Sequence, residues 1–437
     1  MCRDHEACAF TYDLVSRRIV GGVISIERPY IPFAAWARNG SIDGNALSAW
    51  MSRRAVPQGR ENVSCLLDAL GLESTEELML FGLGLSLSDQ YWLRPDGFAL
   101  RWDDVKLFDR EFPPEVGQAL ASHDASSRDA AIKEIVLHSE ILSSSPDVAL
   151  NGNLPKFWLS EGNGARLCKT GKQSNLMLEP FCEVAATAVC GSLLRETSYI
   201  PYSLDGFHGT APFGSCPSFT DATTEFVPAG DIFQLAPSDN HLSRYERYAL
   251  LLESRGIDDA RQRLSEMLAV DHIIGNFDRH WGNFGVLVDA ESREWLCTAP
   301  LFDMGESFDC DRVLTPERAP RKSIYRYPFL TRLDEQMGRY AEELEWFDPD
   351  VAWAAAEEAL RIVCAAPSLE LFADRYAEVE RKKLAKAIEE VEARAREVRP
   401  FHPVGHPSLE VQRARADAAW DAKDEKERRL PVIETAR

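Results

Sequence analysis

Paired cysteine motifs are absent from this sequence. Its cysteines stand at positions 2, 8, 65, 168, 182, 190, 216, 297, 310 and 364, with no C-x-x-C pair among them. That excludes a finger or ribbon zinc site and points to reduced thiols and a cytoplasmic location. Long apolar runs are also missing. The best, Leu78 to Ser88, is interrupted by Gly82 and Gly84 and is too short to span a bilayer. Residues Met1 to Glu6 carry charges of both signs and no apolar stretch, so no secretory signal is visible. Positive charge is scarce: 49 Lys and Arg face 70 Asp and Glu, a net charge of −21. Such a balance argues against a protein that coats nucleic acid or anionic membrane, and predicts no direct nucleic-acid contact and no membrane association. Finally, no suitably placed G-x-G-x-x-G or G-x-x-x-x-G-K-[ST] occurs, which excludes a standard protein-kinase glycine loop and a Walker A loop.

What is present is an ordinary folded composition, 45% hydrophobic and 27% charged over 437 residues, enough for about three domains at roughly 150 residues each. Residues 10 to 27 are rich in β-branched and aromatic side chains and read as paired strands broken at Gly21-Gly22. Helical patterns follow over Asn45 to Arg54 and Val63 to Leu70, and Ser74 with Glu77 opens a third as in a capping box. The run Gly84 to Trp92 carries too much apolar surface for a solvated loop. From Ser122 to Pro146 the residues become small and polar, as in a connection. Strand-like runs come next at Val148 to Leu150, Lys156 to Leu159 and Ala165 to Lys169. A helix is expected over Glu179 to Leu194, further strands over Tyr199 to Leu204 and Thr224 to Val227, and mostly helix from about Leu242. This predicts an N-terminal α+β module over 1–121, a linker over 122–146, a small lobe over 147–230, a helical lobe over 231–400 and a charged tail over 401–437.

The most specific segment is Asp271 to Val288, where an amphipathic helix ending near Ile274 runs into a polar loop and then an apolar strand. Inside the loop Asp278 and Asn283 stand five apart. Phosphoryl transfer in the kinase architecture uses D-x-x-x-x-N because one short loop then supplies a carboxylate beside the attacking hydroxyl and an amide oxygen for magnesium. Twenty residues downstream, Ala299 to Gly305 delivers Asp303 in the setting of a D-F-G-like element with Met304 in place of Phe. Mg²⁺ takes oxygen ligands, one or two carboxylates beside the nucleotide phosphates, so Asn283 and Asp303 are its candidate ligands. Standing alone, Asp303 would read as an N-cap or turn residue.

Upstream, Lys169 ends a strand-like run and Glu183 lies one turn into the following helix. Kinases present the phosphate-binding Lys and the Glu that positions it in that order. Lys172, in the turn after Gly171, is a rival, and Glu183 alone reads as a solvated first-turn acid. Between two strand-like runs, Asn151-Gly152-Asn153-Leu154-Pro155-Lys156 can turn the backbone and aim amides at phosphate, with Lys156 adding charge. A plain hairpin turn fits that segment as well. Metal chemistry through His272, Asp278 and His280 is a further reading, weakened by the lack of another strong ligand set.

Together, Gly275 to Phe284, Ala299 to Asp303 and the turn ending in Pro155-Lys156 resemble the HipA-like serine/threonine kinases of bacteria, whose catalytic loop is also similar to that of phosphoinositide kinases. The resemblance covers roughly residues 145 to 335. It implies an α+β, bilobal protein-kinase-like core, ATP and Mg²⁺ as cofactors, and a protein substrate with a Ser or Thr acceptor. It makes Asp278 the catalytic Asp, Asn283 and Asp303 the metal ligands, Lys169 the nucleotide lysine positioned by Glu183, and Asn151, Gly152, Asn153 and Lys156 parts of the phosphate cover. Toxin members act beside a small DNA-binding antitoxin, which implies an antitoxin-like regulatory partner. Two departures stand against a toxin role. The first 120 residues do not resemble the barrel-type module of the toxins, and Asn151 stands where a regulatory Ser is often found. The missing glycine loop keeps a pseudokinase, a binding module on the same fold, as the alternative.

Overall fold

The structure, a computed structural model, describes residues 1–162, 164–208, 211–315 and 328–398; the charged tail expected over 401–437 lies outside the described residues. The chain opens with an antiparallel pair, β1 (Cys8–Asp13) and β2 (Arg18–Ser25). The break between them is the turn at residues 14–17, not Gly21-Gly22. Those glycines sit inside β2, where the register jumps from Phe10↔Val23 to Thr11↔Val20. A bulge of this kind takes up extra residues and twists a short ribbon, which is why a glycine pair in a strand does not have to end it.

Helices Gly44–Ser52, Val63–Leu70 and Thr75–Phe81 follow. Asp43 caps the first by accepting from the amides of Asn45 and Ala46. Ser74 caps the third, but the Glu77 carboxylate accepts from Glu73 N instead of closing a reciprocal box. Leu85, Leu87 and Trp92 are buried within an irregular segment. The segment 122–146, expected as a connection, is helical over Ala125–Leu137 and Ile141–Ser144. Ala131, Ile132 and Ile135 make a narrow apolar stripe that buries against Val116 and Leu120 of helix Glu115–Ala121. The surrounding Ser, Asp and Lys residues mask that stripe in the sequence, and the helix draws its stability from this packing and not from its composition.

A four-stranded antiparallel sheet, in the order β3-β4-β6-β5, is built from β3 (Lys156–Glu161), β4 (Gly164–Thr170), β5 (Ser203–His208) and β6 (Ala211–Pro217). Residues 148–150 are not a strand: a short 3-10 turn runs over Pro146–Ala149. The helix Glu179–Leu193 packs against this sheet and against the helix Pro349–Cys364. A second antiparallel sheet, ordered β7-β8-β9, consists of β7 (Thr224–Pro228), β8 (Gly285–Asp289) and β9 (Trp295–Thr298). Helices Arg244–Ser254, Ala260–Ile274, Leu333–Tyr340 and Ala373–Glu397 complete the described chain. One large core links both sides, from Leu178 and Val189 through Leu268, Ile273 and Val286 to Leu360 and Val391. The fold is thus mixed α and β with antiparallel sheets. All ten cysteines are free thiols, and no helix among the described residues is long and apolar enough to cross a membrane.

Candidate functional site

Strand β4 aligns Lys169 opposite Lys156 of β3 and Gly214 of β6. From there the Lys169 side chain runs inward to two carboxylates. Its Nζ donates to Glu183 Oε1 at 2.9 Å and to Asp303 Oδ1 at 2.6 Å. Glu183 is 1% exposed, so it is not the solvated first-turn acid that its position also allows. Its second oxygen, Oε2, accepts from Met304 N at 2.9 Å. One glutamate therefore ties the strand lysine to the backbone that presents Asp303. Asp303 has φ 57, a left-handed conformation that Asp tolerates better than most side chains. Before it, Phe302 is anchored by the rings of Phe219 and Phe226, at 5.0 and 5.3 Å between centroids.

The charges of this trio follow from competing effects. Burial opposes protonation of Lys169, but Asp303 and Glu183 outweigh it and hold the ammonium pKa well above its ordinary value. Burial likewise opposes ionisation of Asp303, yet Lys169 and then Lys156 override it, and its carboxyl sits well below the usual range. Glu183 is raised by burial, with Lys169 pulling the other way. Lys172 takes a different place: its Nζ meets Glu306 Oε1 at 2.5 Å, and it feels the charge of Asp278.

The loop carrying Asp278 begins where helix Ala260–Ile274 ends. Gly275 caps it with φ 65, a left-handed turn that glycine adopts without steric cost. Two residues that the spacing argument passed over then fix the loop. Arg279 is fully buried and pairs with Asp271 through two bonds of 2.8 and 2.9 Å. Its Nη1 also donates to Asn283 O at 2.8 Å and to Phe302 O at 2.9 Å. Arg279 thereby joins the loop to the segment presenting Asp303. Asn276 adds a bond to Asp271 at 2.8 Å and accepts from Asp278 N at 3.2 Å. Asn283 closes the turn: its Oδ1 accepts from His280 N at 2.9 Å, and its Nδ2 donates to Asp278 O at 2.8 Å. The half-buried Asp278 is held by its own backbone from both sides.

The turn Asn151 to Lys156 faces the same space. Gly152 has φ 103, and Lys156 Nζ fills the position that a side chain on Gly152 would need. Arg60, from the N-terminal part of the chain, holds this turn by its carbonyls, donating to Leu150 O and to Gly152 O through Nε at 2.9 Å and Nη2 at 2.7 Å. Burial lowers the Lys156 ammonium pKa to about 7, with Lys169 and Arg60 adding to the effect and Asp303 resisting it.

A cleft of about 490 Å³ joins these parts. Asn151, Gly152, Asn153, Lys156, Asn283 and Asp303 all line it. Lys169, Glu183 and Asp278 are not among its lining residues, though Lys169 bonds Asp303, which is. Apolar and aromatic side chains, Trp158, Leu167, Tyr202 and Phe219 among them, also line it, and Lys169 Nζ stands 5.0 Å from the Tyr202 ring centre. N-terminal residues, Phe33, Trp50 and Arg53 among them, form part of the rim. Asn283 and Asp303 both line this space, and the amide oxygen of one and the carboxylate of the other each retain acceptor capacity beyond the bonds described. That donor set fits a hard divalent cation that keeps waters and phosphate oxygens as its other ligands. No group of three or more His, Cys, Asp or Glu able to hold a metal occurs among the described residues. His272 instead bonds Glu390 Oε2 at 2.8 Å, which removes the His272, Asp278 and His280 reading. Of the residues the spacing missed, Asp271 had a visible signal, an acid inside the otherwise apolar end of its helix. Arg60 had none, since its partners are about 90 residues away.

No family model matches the chain. It is 36% identical over 70 residues to the serine/threonine-protein kinase CtkA of Helicobacter pylori, an alignment that spans 14% of this chain and only 21% of the length of that relative. The crystal structure of a Helicobacter pylori proinflammatory kinase CtkA superposes with a TM-score of 0.39 at 17% identity, covering 56% of this chain and 95% of that one. That superposition is too loose to assign the fold.

Proposed function

We propose that this chain is an ATP- and Mg²⁺-dependent kinase of the HipA-like class that transfers the γ-phosphate to a Ser or Thr hydroxyl of a protein, on a bilobal kinase-like core. The observation that carries the reading is the buried Lys169, bonded at once to Glu183 and Asp303 across more than 130 residues of chain. A structural ion pair needs one partner. A lysine shared by a helix glutamate and a cleft-facing aspartate is the arrangement by which kinases fix a nucleotide phosphate. The partial similarity to a serine/threonine kinase supports the same class.

On this reading the apolar lining of the cleft takes the base, and the turn Asn151 to Lys156 covers the phosphates with backbone amides and the Lys156 ammonium. Lys169, kept in place by Glu183, binds the nucleotide phosphates. Asn283 and Asp303 would hold Mg²⁺, which supplies charge neutralisation at the phosphate oxygens when bound. Asp278 orients the acceptor hydroxyl and accepts its proton as the oxygen attacks phosphorus. Arg279 and Asn276 hold the loop that carries Asp278, so part of the ordering entropy is met before substrate arrives. A cytoplasmic location and an antitoxin-like regulatory partner belong to the same proposal. The test is incubation of the full chain with labelled ATP and Mg²⁺ in the presence of cell lysate. Labelled protein product that disappears with Asp303→Ala supports the reading, and an unlabelled lysate with unlabelled enzyme counts against it.

One observation favours a pseudokinase instead: Lys156 Nζ rests on Gly152, the single glycine of the turn, where a phosphate would have to displace it. Nucleotide titrations with and without Mg²⁺ separate the two. Affinity that is indifferent to the metal belongs to the binding module.

A further inference from the structure

Cations near the cleft are mostly committed to carboxylates: Lys169 to Glu183 and Asp303, Lys172 to Glu306, Arg279 to Asp271, Arg53 to Asp231. In a chain of net charge −21 that is expected. Two arginines beside the Asp278 loop depart from it. Arg244 and Arg247 stand at the start of helix Arg244–Ser254. Neither forms an ion pair with a carboxylate among the described residues, although the charge of Asp239 acts on Arg247. Arg247 Nε donates to Pro237 O at 2.7 Å, while its Nη2 is buried with no partner.

Their aromatic neighbours fix where this positive face lies. The Arg244 guanidinium is 4.8 Å from the ring centre of Trp281 and 5.7 Å from that of Phe233, and Arg247 is 4.9 Å from Phe233. Trp281 belongs to the loop between Asp278 and Asn283. Stacking on two rings needs one guanidinium. A second adds repulsion at a helix amino end where acids are favoured, and Glu246, the acid of that first turn, is occupied in the cap with Ser243. An anionic ligand relieves this repulsion.

We propose that Arg244 and Arg247 dock an acidic segment of the protein acceptor, a run of Asp or Glu flanking the Ser or Thr presented to Asp278. This rests on the kinase reading for its biological meaning. An extended nucleic acid is disfavoured, because two arginines on a strongly acidic molecule do not offset the repulsion of many phosphates.

The test measures binding of fluorescent peptides to the full chain without nucleotide. Two peptides of equal length carry one Ser, flanked by Glu in one and by Gln in the other. The acidic peptide is expected to bind about tenfold tighter at low salt, with the preference shrinking at about 0.5 M NaCl. An Arg244→Gln/Arg247→Gln variant is expected to lose that preference and Arg244→Lys/Arg247→Lys to keep most of it, with circular dichroism verifying the fold of each. Equal affinity of the unaltered protein for both peptides overturns the proposal, and so does a preference that survives in the Gln variant. Tighter binding of duplex DNA through the same arginines overturns it too. Since no nucleotide is used, a failed phosphate transfer would remove the kinase reading while leaving this measurement intact.

Discussion

Asp278 and Asp303 have neighbours that suit them to different tasks. Asp303 faces Lys169 and Lys156 and is held ionised, as a metal ligand must be. Asp278 is fixed through its backbone by Asn276 and Asn283, so the loop sets where its side chain stands. Asp278→Ala is expected to lower phosphate transfer by roughly 10²–10⁴-fold, the usual worth of a positioned general base. Asp303→Ala should abolish transfer while leaving the Lys169–Glu183 bond and the fold in place. Labelled-phosphate incorporation with circular dichroism on the same preparations reads both, and unchanged incorporation in either variant removes the mechanism. At this scale much of the candidate site was legible in the sequence. Asp278 and Asn283 share one loop, and Glu183 follows Lys169, at the end of its strand, by a turn and one helical turn, so local spacing constrains them. Whether Glu183 was solvated or buried was not legible. That depends on what closes over its side chain, which is Lys169 of β4 and the Met304–Gly305 backbone about 120 residues further along the chain.

Elements are locked to one another by buried polar groups, and two of these carry tests. Arg279 unites helix Ala260–Ile274, the Asp278 loop and the Phe302 backbone. Removing it leaves Asp271 buried without a counterion, a loss of about 3–5 kcal/mol for a pair of this kind. Arg279→Ala should therefore show a large drop in urea midpoint as well as impaired transfer. A midpoint within error of the unaltered protein would contradict the clamp. Asp147, in the turn Pro146–Ala149, is buried and accepts from Trp158 N at 2.9 Å. Burial lifts its carboxyl pKa from an ordinary 3.8 to about 7, against the pull of the Trp158 amide and Arg60. Between those values the folded state holds a proton that the unfolded state releases, so stability falls as pH rises through the window and the penalty is complete above it. Asp147→Asn keeps an acceptor for Trp158 and removes the titration. Its thermal midpoint should gain on the unaltered protein from roughly pH 4 to pH 7 and then stay level; a gap that is constant with pH would exclude this role. Strands and helices with strong periodicity, such as Val63–Leu70 and β4, were readable in advance. The helix Ala125–Leu137 was not, because its stripe is narrow and its other faces are solvated.

On the scale of the whole molecule, the N-terminal region is built into the cleft as part of its wall. Ser88 O accepts from Phe226 N at 2.8 Å, Gln90 Nε2 donates to Asp221 O at 2.8 Å, and Gln234 Nε2 donates to Phe33 O at 2.7 Å. At the centre of this contact Arg293 Nη2 reaches Glu225 Oε1 at 2.5 Å and the Tyr91 hydroxyl at 3.0 Å, with the two charged side chains only 7% and 1% exposed. Sequence spacing cannot expose such a contact, because Tyr91, Glu225 and Arg293 come from three distant segments and none sits in a local pattern. Its physical consequence is coupling: the N-terminal part should not unfold before the rest, since that would strand Glu225 and Arg293 at a newly opened surface and strip the cleft of one rim. Urea unfolding of the full chain followed by tryptophan fluorescence and by circular dichroism should therefore give coincident transitions. Arg293→Met leaves Glu225 unpaired and should cost about 3–5 kcal/mol, and because the pair joins the two regions it should also separate the two probes' transitions. The double variant Arg293→Met/Glu225→Leu removes the stranded charge and should recover much of the loss. Coincident transitions in all three proteins with an unshifted midpoint would mean that this contact does not couple the N-terminal region to the cleft.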